Sequence, residues 1–135
     1  MRILGIDYGE VRIGLALTDP LGIIAYPLIT IKNDSKAILE IKKVISEYGV
    51  EKIVLGYPLK ENGEETKLSK KIIIYKQILE KEFGLSVELF DERYSSEIAK
   101  QRIIETVPSK KKRRNKSLID KNAAAVILQD YLEQM

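Results

Sequence analysis

The chain has 135 residues, a net charge of +3, and neither cysteine nor histidine. These absences exclude disulfides, thiol nucleophiles, imidazole bases, and metal sites built on cysteine or histidine. Any enzymatic chemistry must therefore use Asp, Glu, Lys, Tyr or the backbone, in what the length predicts to be one domain over residues 1–135. No apolar run reaches the roughly 20 residues that span a bilayer, and Asp7 comes too early for a signal peptide. We expect a cytoplasmic protein without a membrane partner.

The first part of the chain predicts three β-strands in an antiparallel meander. The strands are expected over Arg2–Asp7, Arg12–Thr18 and Ile23–Ile31, and Pro20 and Gly22 mark a β-turn between the second and third.

Helices and strands then alternate. The predicted elements are a helix capped by Asn33, Asp34 or Ser35 and stopped by Gly49, a strand over Lys52–Leu59, a helix stopped by Gly84, a strand over Ser86–Phe90, a helix from Ser95 or Ser96 to before Pro108, and a last helix from about Ser117. Strands joined by a helix are normally parallel. This order predicts an α/β fold with a mixed five-stranded sheet in the order 3-2-1-4-5, a meander followed by two βα units, and helices on both faces.

Acidic residues occur where two of the central strands end. Asp7 closes the first strand, and Asp91 and Glu92 follow the fifth. Parallel strands of such a sheet direct their carboxyl ends to one edge, where sites form. Asp7 could instead accept turn amides. Asp91 and Glu92 should point to opposite faces, so only one can readily join Asp7; we choose Glu92 and leave Asp91 open.

Asp120 lies on a helical stripe that is otherwise apolar. It could act as the third residue of a capping box begun by Ser117, but its place on the stripe indicates that it points toward the sheet. Small residues behind it, Ala123 and Ala124, would let the helix approach the strands. Asp7, Glu92 and Asp120 would form an all-carboxylate site suited to Mg²⁺ or Mn²⁺, with two ions activating water and stabilising the leaving oxygen of a phosphodiester.

Several polar residues are candidate phosphate contacts. Next to the proposed site these are Arg12, Arg93, Tyr94 and Ser95. Six of the 23 basic residues fall within residues 110–116, which we call the basic segment. Among them are Lys111, Arg113 and Arg114. Such a concentration suggests a nucleic-acid partner, although a solvated loop would have the same composition.

The motifs resemble, in order and over nearly the whole chain, those of the RuvX (YqgF) family. They are Gly5–Gly9 with Arg12–Ala16, Gly56–Leu59 with Asn62–Gly63, Asp91–Ser96, and Asp120–Ala124 with Ile127–Leu132. The resemblance implies an RNase H-like fold and a cytoplasmic hydrolase acting on nucleic acid, with Asp7, Glu92 and Asp120 as its acids. It also implies a nuclease for 5′-end maturation of pre-16S rRNA, in ribosome biogenesis.

Three alternatives remain open. A Holliday junction resolvase would use the same chemistry on branched DNA and would act as a homodimer. A nucleic-acid-binding module without catalysis would explain the basic segment, but three convergent acids repel phosphate unless metal is bound. A phosphate-binding ATPase lobe shares the opening Gly5–Gly9 motif, yet such proteins need two lobes to enclose nucleotide.

Overall fold

The computed structural model describes residues 1–92 and 116–134, with side chains of the last helix described from residue 122 onward. The elements it describes are β1 (Arg2–Tyr8), β2 (Arg12–Thr18), β3 (Ala25–Lys32), α1 (Ala37–Tyr48), β4 (Val50–Tyr57), α2 (Lys67–Phe83), β5 (Ser86–Asp91) and α3 (Lys116–Glu133). The helix predicted between Ser95 and Pro108 and nearly all of the basic segment lie outside the described residues. Among the described residues, no helix is long and apolar enough to cross a membrane.

The five strands form one sheet in the order β3-β2-β1-β4-β5. β1 is antiparallel to β2 and parallel to β4, and β4 is parallel to β5. The predicted mixed sheet and its strand order are therefore confirmed. β3 lies at one edge, and its Pro27 pairs with Ala16 where the register of the β2–β3 ladder shifts, which agrees with the confinement of proline to edge strands and bulges.

Side chains alternate between two apolar layers on the two faces of the sheet. On the α1/α2 face, Leu4 and Ile6 of β1 pack in one buried cluster with residues of both helices. On the α3 face, Ile3 of β1 and Val54 of β4 pack in a second buried cluster with Leu128. Helices therefore cover both faces, as the sequence predicts, and odd-numbered residues of β1 face α3.

Helix α3 lies very close to β1 because Gly5 has no side chain. A Cβ atom built on Gly5 would lie 2.8 Å from the Leu128 Cβ and 3.2 Å from the Ala124 carbonyl oxygen. Both helix residues are fully buried. The predicted close approach of the alanine-containing stripe is thus confirmed at Ala124.

Polar contacts hold the C-terminal half of α3 against the sheet. The Lys52 ammonium donates to the Tyr131 hydroxyl over 2.7 Å, and that hydroxyl donates to a Glu88 carboxylate oxygen over 2.6 Å. The Gln129 side-chain oxygen accepts from the Ala25 amide over 2.9 Å. These bonds join α3 to β3, β4 and β5 at the end of the sheet away from Asp7.

The start of α1 differs from the sequence-based expectation. Its N-cap residue is Lys36, which makes no side-chain capping bond. Asp34 instead accepts from the Lys36 amide over 2.9 Å, and the Asn33 side chain donates to the Gly9 carbonyl over 2.8 Å. The prediction of a cap by Asn33, Asp34 or Ser35 is therefore wrong, because the first two side chains form other bonds with backbone groups.

Candidate active site

Asp7 lies between two residues that have no side chains. It follows Ile3 and Gly5 on the α3 face, and its partner in β2 is Gly14. On the other side, β1 and β4 pair in register up to Ile6 and Leu55, so Gly56 comes next beside Asp7. Neither neighbour places a side chain on the α3 face, and both glycines are buried, so other groups of the molecule cover the sheet on either side of this carboxylate.

The Glu92 carboxylate occupies the α3 face above Gly56. A Cβ atom built on Gly56 would lie 2.5 Å from Glu92 Oε1 and 2.7 Å from Ile127 Cδ1 of α3. Glu92 therefore lies between β4 and α3, across Gly56 from Asp7. The two acids come from strands that are not neighbours, and the glycine between them lets the longer Glu92 side chain reach back toward β1.

Asp91 belongs to the other side of the sheet. It shares a face of β5 with Val87 and Leu89, which pack in the α1/α2 cluster, and it pairs with Tyr57. Desolvation raises the pKa of the Tyr57 hydroxyl, and the nearby carboxylates of Glu65 and Asp91 add to that rise. Of the two adjacent acids left open by the sequence, Glu92 is the one on the same face as Asp7.

The other predicted site residues are placed in part. Arg12 begins β2 two residues before Gly14, so strand alternation assigns it to the α3 face with Asp7. Residue 120 lies in α3 one helical turn before Ala124, which contacts β1 at Gly5, but the Asp120 side chain lies outside the described residues. Six further candidates also lie outside them: Arg93, Tyr94, Ser95, Lys111, Arg113 and Arg114.

The donor set that the structure brings together fits a hard divalent cation. Asp7 and Glu92 supply carboxylate oxygens, which Mg²⁺ and Mn²⁺ prefer. Within residues 1–92 and 122–134 there is no group of three acidic, histidine or cysteine residues able to hold a metal. Two of the three predicted ligands lie in that part of the chain, so a complete site requires an acid from elsewhere, as the Asp120 prediction proposes.

The motifs that include Gly14 and Gly56 do not by themselves indicate that these glycines lie beside Asp7. Counting outward from the β1–β2 turn would have placed Gly14 opposite Asp7, since hairpin register fixes cross-strand partners. Gly56 lies beside Asp7 because β1 and β4 pair in parallel, although the two residues are about fifty positions apart in sequence. No local sequence pattern predicts a pairing at that separation.

Comparisons with known proteins agree with this architecture. A family model described as "RuvX: Holliday junction resolvase" matches residues 1–134. A relative from Desulfitobacterium hafniense is 42% identical over 133 residues, covering 98% of this chain and 92% of its own. A relative from Clostridium kluyveri is 40% identical over 137 residues, covering 100% of this chain and 98% of its own. Both carry the name "Putative pre-16S rRNA nuclease".

Among solved structures, RuvC of T. thermophilus in complex with a Holliday junction substrate matches with a TM-score of 0.63 and 16% identity, over 99% of this chain and 96% of that one. At that identity the likeness concerns the fold, which is RNase H-like. The family match, by contrast, spans almost every residue and is supported by relatives at about 40% identity. The chain belongs to the RuvX family.

Proposed function

We propose that this protein is a cytoplasmic nuclease that hydrolyses phosphodiester bonds of pre-16S rRNA during 5′-end processing. The carrying observation is the Glu92 carboxylate held over Gly56, on the same face of the sheet as Asp7. Two carboxylates on one face of the sheet favour metal-assisted hydrolysis over simple phosphate binding, since acids alone repel a phosphate. The names of the relatives support the substrate.

Asp7, Glu92 and Asp120 would hold Mg²⁺ or Mn²⁺, and we propose two ions. A helix advances about 6 Å in four residues, nearly the length of two strand residues. Ala124 contacts Gly5, and residue 120 lies four residues before Ala124 in α3. Asp7 lies two residues after Gly5 in β1, so this rise supports a position for residue 120 near Asp7. Bound divalent metal supplies an activated water and a positive charge beside the leaving oxygen.

The remaining residues bind and orient the substrate in this proposal. Asp7 pairs with Gly14, which carries no side chain on the α3 face. The Arg12 guanidinium, on the same face, offers paired donors to a phosphate oxygen. Further along the strand of RNA, contacts come from Arg93, Tyr94, Ser95, Lys111, Arg113 and Arg114.

The decisive test compares Asp7→Asn and Glu92→Gln with Asp91→Asn in Mg²⁺-dependent cleavage of a pre-16S rRNA 5′ leader. The first two variants should lose activity by about a hundredfold or more, because each removes a charged ligand. Asp91→Asn is the matched control: it neutralises the neighbouring acid, which lies on the opposite face, and should keep wild-type activity.

Circular dichroism should show that all three variants fold. Wild-type cleavage by folded Asp7→Asn would refute the proposed site. Loss of activity in Asp91→Asn alone would transfer the ligand role from Glu92 to Asp91. A wild-type protein that binds the leader but never cleaves it would be a binding module.

The family model's description favours a second substrate, a four-way DNA junction. Cutting two strands symmetrically requires a two-fold dimer, so this function predicts a homodimer in solution. Parallel cleavage of the RNA leader and a DNA junction, with light scattering to give the oligomeric state, separates the two. A monomer that cuts only the leader excludes the resolvase function.

The basic segment has a test of its own. If Lys111, Arg113 and Arg114 contact phosphates, their replacement by serine should reduce the slope of log affinity against log salt by about 0.7 for each lost contact to single-stranded RNA. An unchanged slope would assign these residues to a solvated surface.

A further inference from the structure

The turn between β1 and β2 follows directly from Asp7 and is compact. A Cβ atom built on Gly9 would lie 2.5 Å from the Arg12 carbonyl oxygen, so the chain folds back closely on itself between these residues. The turn thereby joins two residues on the α3 face, Asp7 before it and Arg12 after it. Its shape determines how the carboxylate and the guanidinium are placed relative to each other.

A single residue, Asn33, binds this turn from the segment between β3 and α1. Its side-chain amide donates to the Gly9 carbonyl over 2.8 Å, and its backbone amide donates to the Val11 carbonyl over 3.0 Å. The two bonds fix carbonyls two residues apart, which restrains the orientation of the turn as well as its distance. The side-chain bond is partly buried and therefore poorly replaced by water.

Contacts from α2 hold the same turn more weakly. Lys71 pairs with Glu10 over 3.2 Å, but more than half of each side chain is exposed, so solvent screens the pair. Tyr8, at the start of the turn, packs its ring 4.6 Å from that of Tyr75. Neither contact reaches the backbone between Gly9 and Arg12, whereas Asn33 bonds to that backbone directly.

We propose that Asn33 is a positioning residue for the metal and phosphate site, acting through the Gly9 carbonyl on Asp7 and Arg12. The proposal rests on the proposed function, because it assigns the turn a role in holding the metal ligand and phosphate contact of that site. Asn33 itself touches neither the metal nor the substrate. Its loss should loosen the turn and weaken metal binding while the sheet remains intact.

The test uses Asn33→Ala, which removes the side-chain bond and keeps the backbone bond to Val11. Asp34→Ala is the matched control: it removes a side-chain bond to the Lys36 amide in the same segment without touching the turn. Mn²⁺ affinity is measured by titration calorimetry, kcat and KM by leader cleavage, and local order by amide hydrogen exchange across residues 9–12.

Asn33→Ala should weaken Mn²⁺ binding by about tenfold and lower kcat by about ten- to a hundredfold, with faster exchange in the turn and little change in KM. Raised Mn²⁺ should restore part of the lost activity, which a purely structural role would not predict. Asp34→Ala should match the wild type in metal affinity and kcat per folded molecule.

Failure of the positioning role of Asn33 can be distinguished from failure of the proposed function. If the wild type cleaves RNA and binds Mn²⁺, and Asn33→Ala does both equally well, the positioning role is overturned and the proposed function stands. If the wild type neither cleaves nor binds Mn²⁺, the proposed function fails and the role of Asn33 fails with it.

Discussion

Replacing Gly56 with alanine tests whether the close approach of Glu92 to the backbone beside Asp7 is required. The new Cβ would lie 2.5 Å from Glu92 Oε1 and 2.7 Å from Ile127 Cδ1, whereas ordinary contacts begin near 3.4 Å. Each atom must therefore retreat by roughly 1 Å. Both are ends of flexible side chains, so we expect the fold to persist with about 1–3 kcal/mol of overpacking cost. For a domain of this size, each kcal/mol lowers Tm by about 4 °C.

The effect on catalysis should be larger than the effect on stability. Glu92 can yield only by moving its carboxylate away from Gly56, and therefore away from its position relative to Asp7. A displaced metal ligand reduces kcat by about ten- to a hundredfold, with a smaller change in KM. The assay is steady-state cleavage of the rRNA leader at 25 °C, where the variant remains folded, with Tm from calorimetry.

Gly84→Ala provides the matched control. Gly84 ends α2 at φ 63°, with no atom within 4 Å of a built Cβ, so alanine there costs about 1 kcal/mol through backbone strain alone. It should lower Tm without changing kcat. Activity of folded Gly56→Ala within twofold of the wild type would refute the placement of Glu92 in the active site.

Two further predictions concern stability. The Tyr75 hydroxyl is buried and has no hydrogen-bond partner in the described part of the chain, so Tyr75→Phe should raise Tm by about 4 °C; an unchanged or lower Tm would contradict this. Hydrogen bonds from Lys52 and Tyr131 lower the pKa of Glu88 below its usual 4.5. The stabilisation of the fold by these bonds is therefore complete above the usual pKa and is lost as the pH falls through the lowered pKa. Urea unfolding at pH 7 and pH 3 should show that Glu88→Gln loses less unfolding free energy on acidification than the wild type does. The difference should be small because solvent screens the partly exposed Glu88 carboxylate, and equal losses would refute the prediction.

Much of the fold could be predicted because its signals are local. The β1–β2 hairpin, the helix stops at Gly49 and Gly84, and the alternation of helix and strand all follow from short stretches of sequence, and the rules for connecting strands then leave few possible strand orders. The buried face of α3 was predictable for the same reason, because the helical spacing of its apolar residues alone identifies the face that includes Leu128.

The candidate site was less predictable because it depends on which face of each strand meets α3. In β5, Leu89 and Phe90 are both apolar, so alternation could not decide whether Asp91 or Glu92 joins Asp7. Packing against α3 decides it by burying Phe90. Asn33 was misassigned for a related reason: its side chain bonds to Gly9, 24 residues earlier, and a local capping rule cannot anticipate a partner at that distance.

The contact of α3 with Gly5 also has a consequence for biosynthesis. Leu128 and Gly5 are 123 positions apart in sequence, so this contact can form only after residue 128 has left the ribosome. The five strands are translated before α3. Any reaction that needs both Asp7 and a residue of α3 is therefore unavailable until α3 has emerged. A nuclease directed at ribosomal RNA would, by this order of synthesis, become active only after α3 has emerged from the ribosome that makes it.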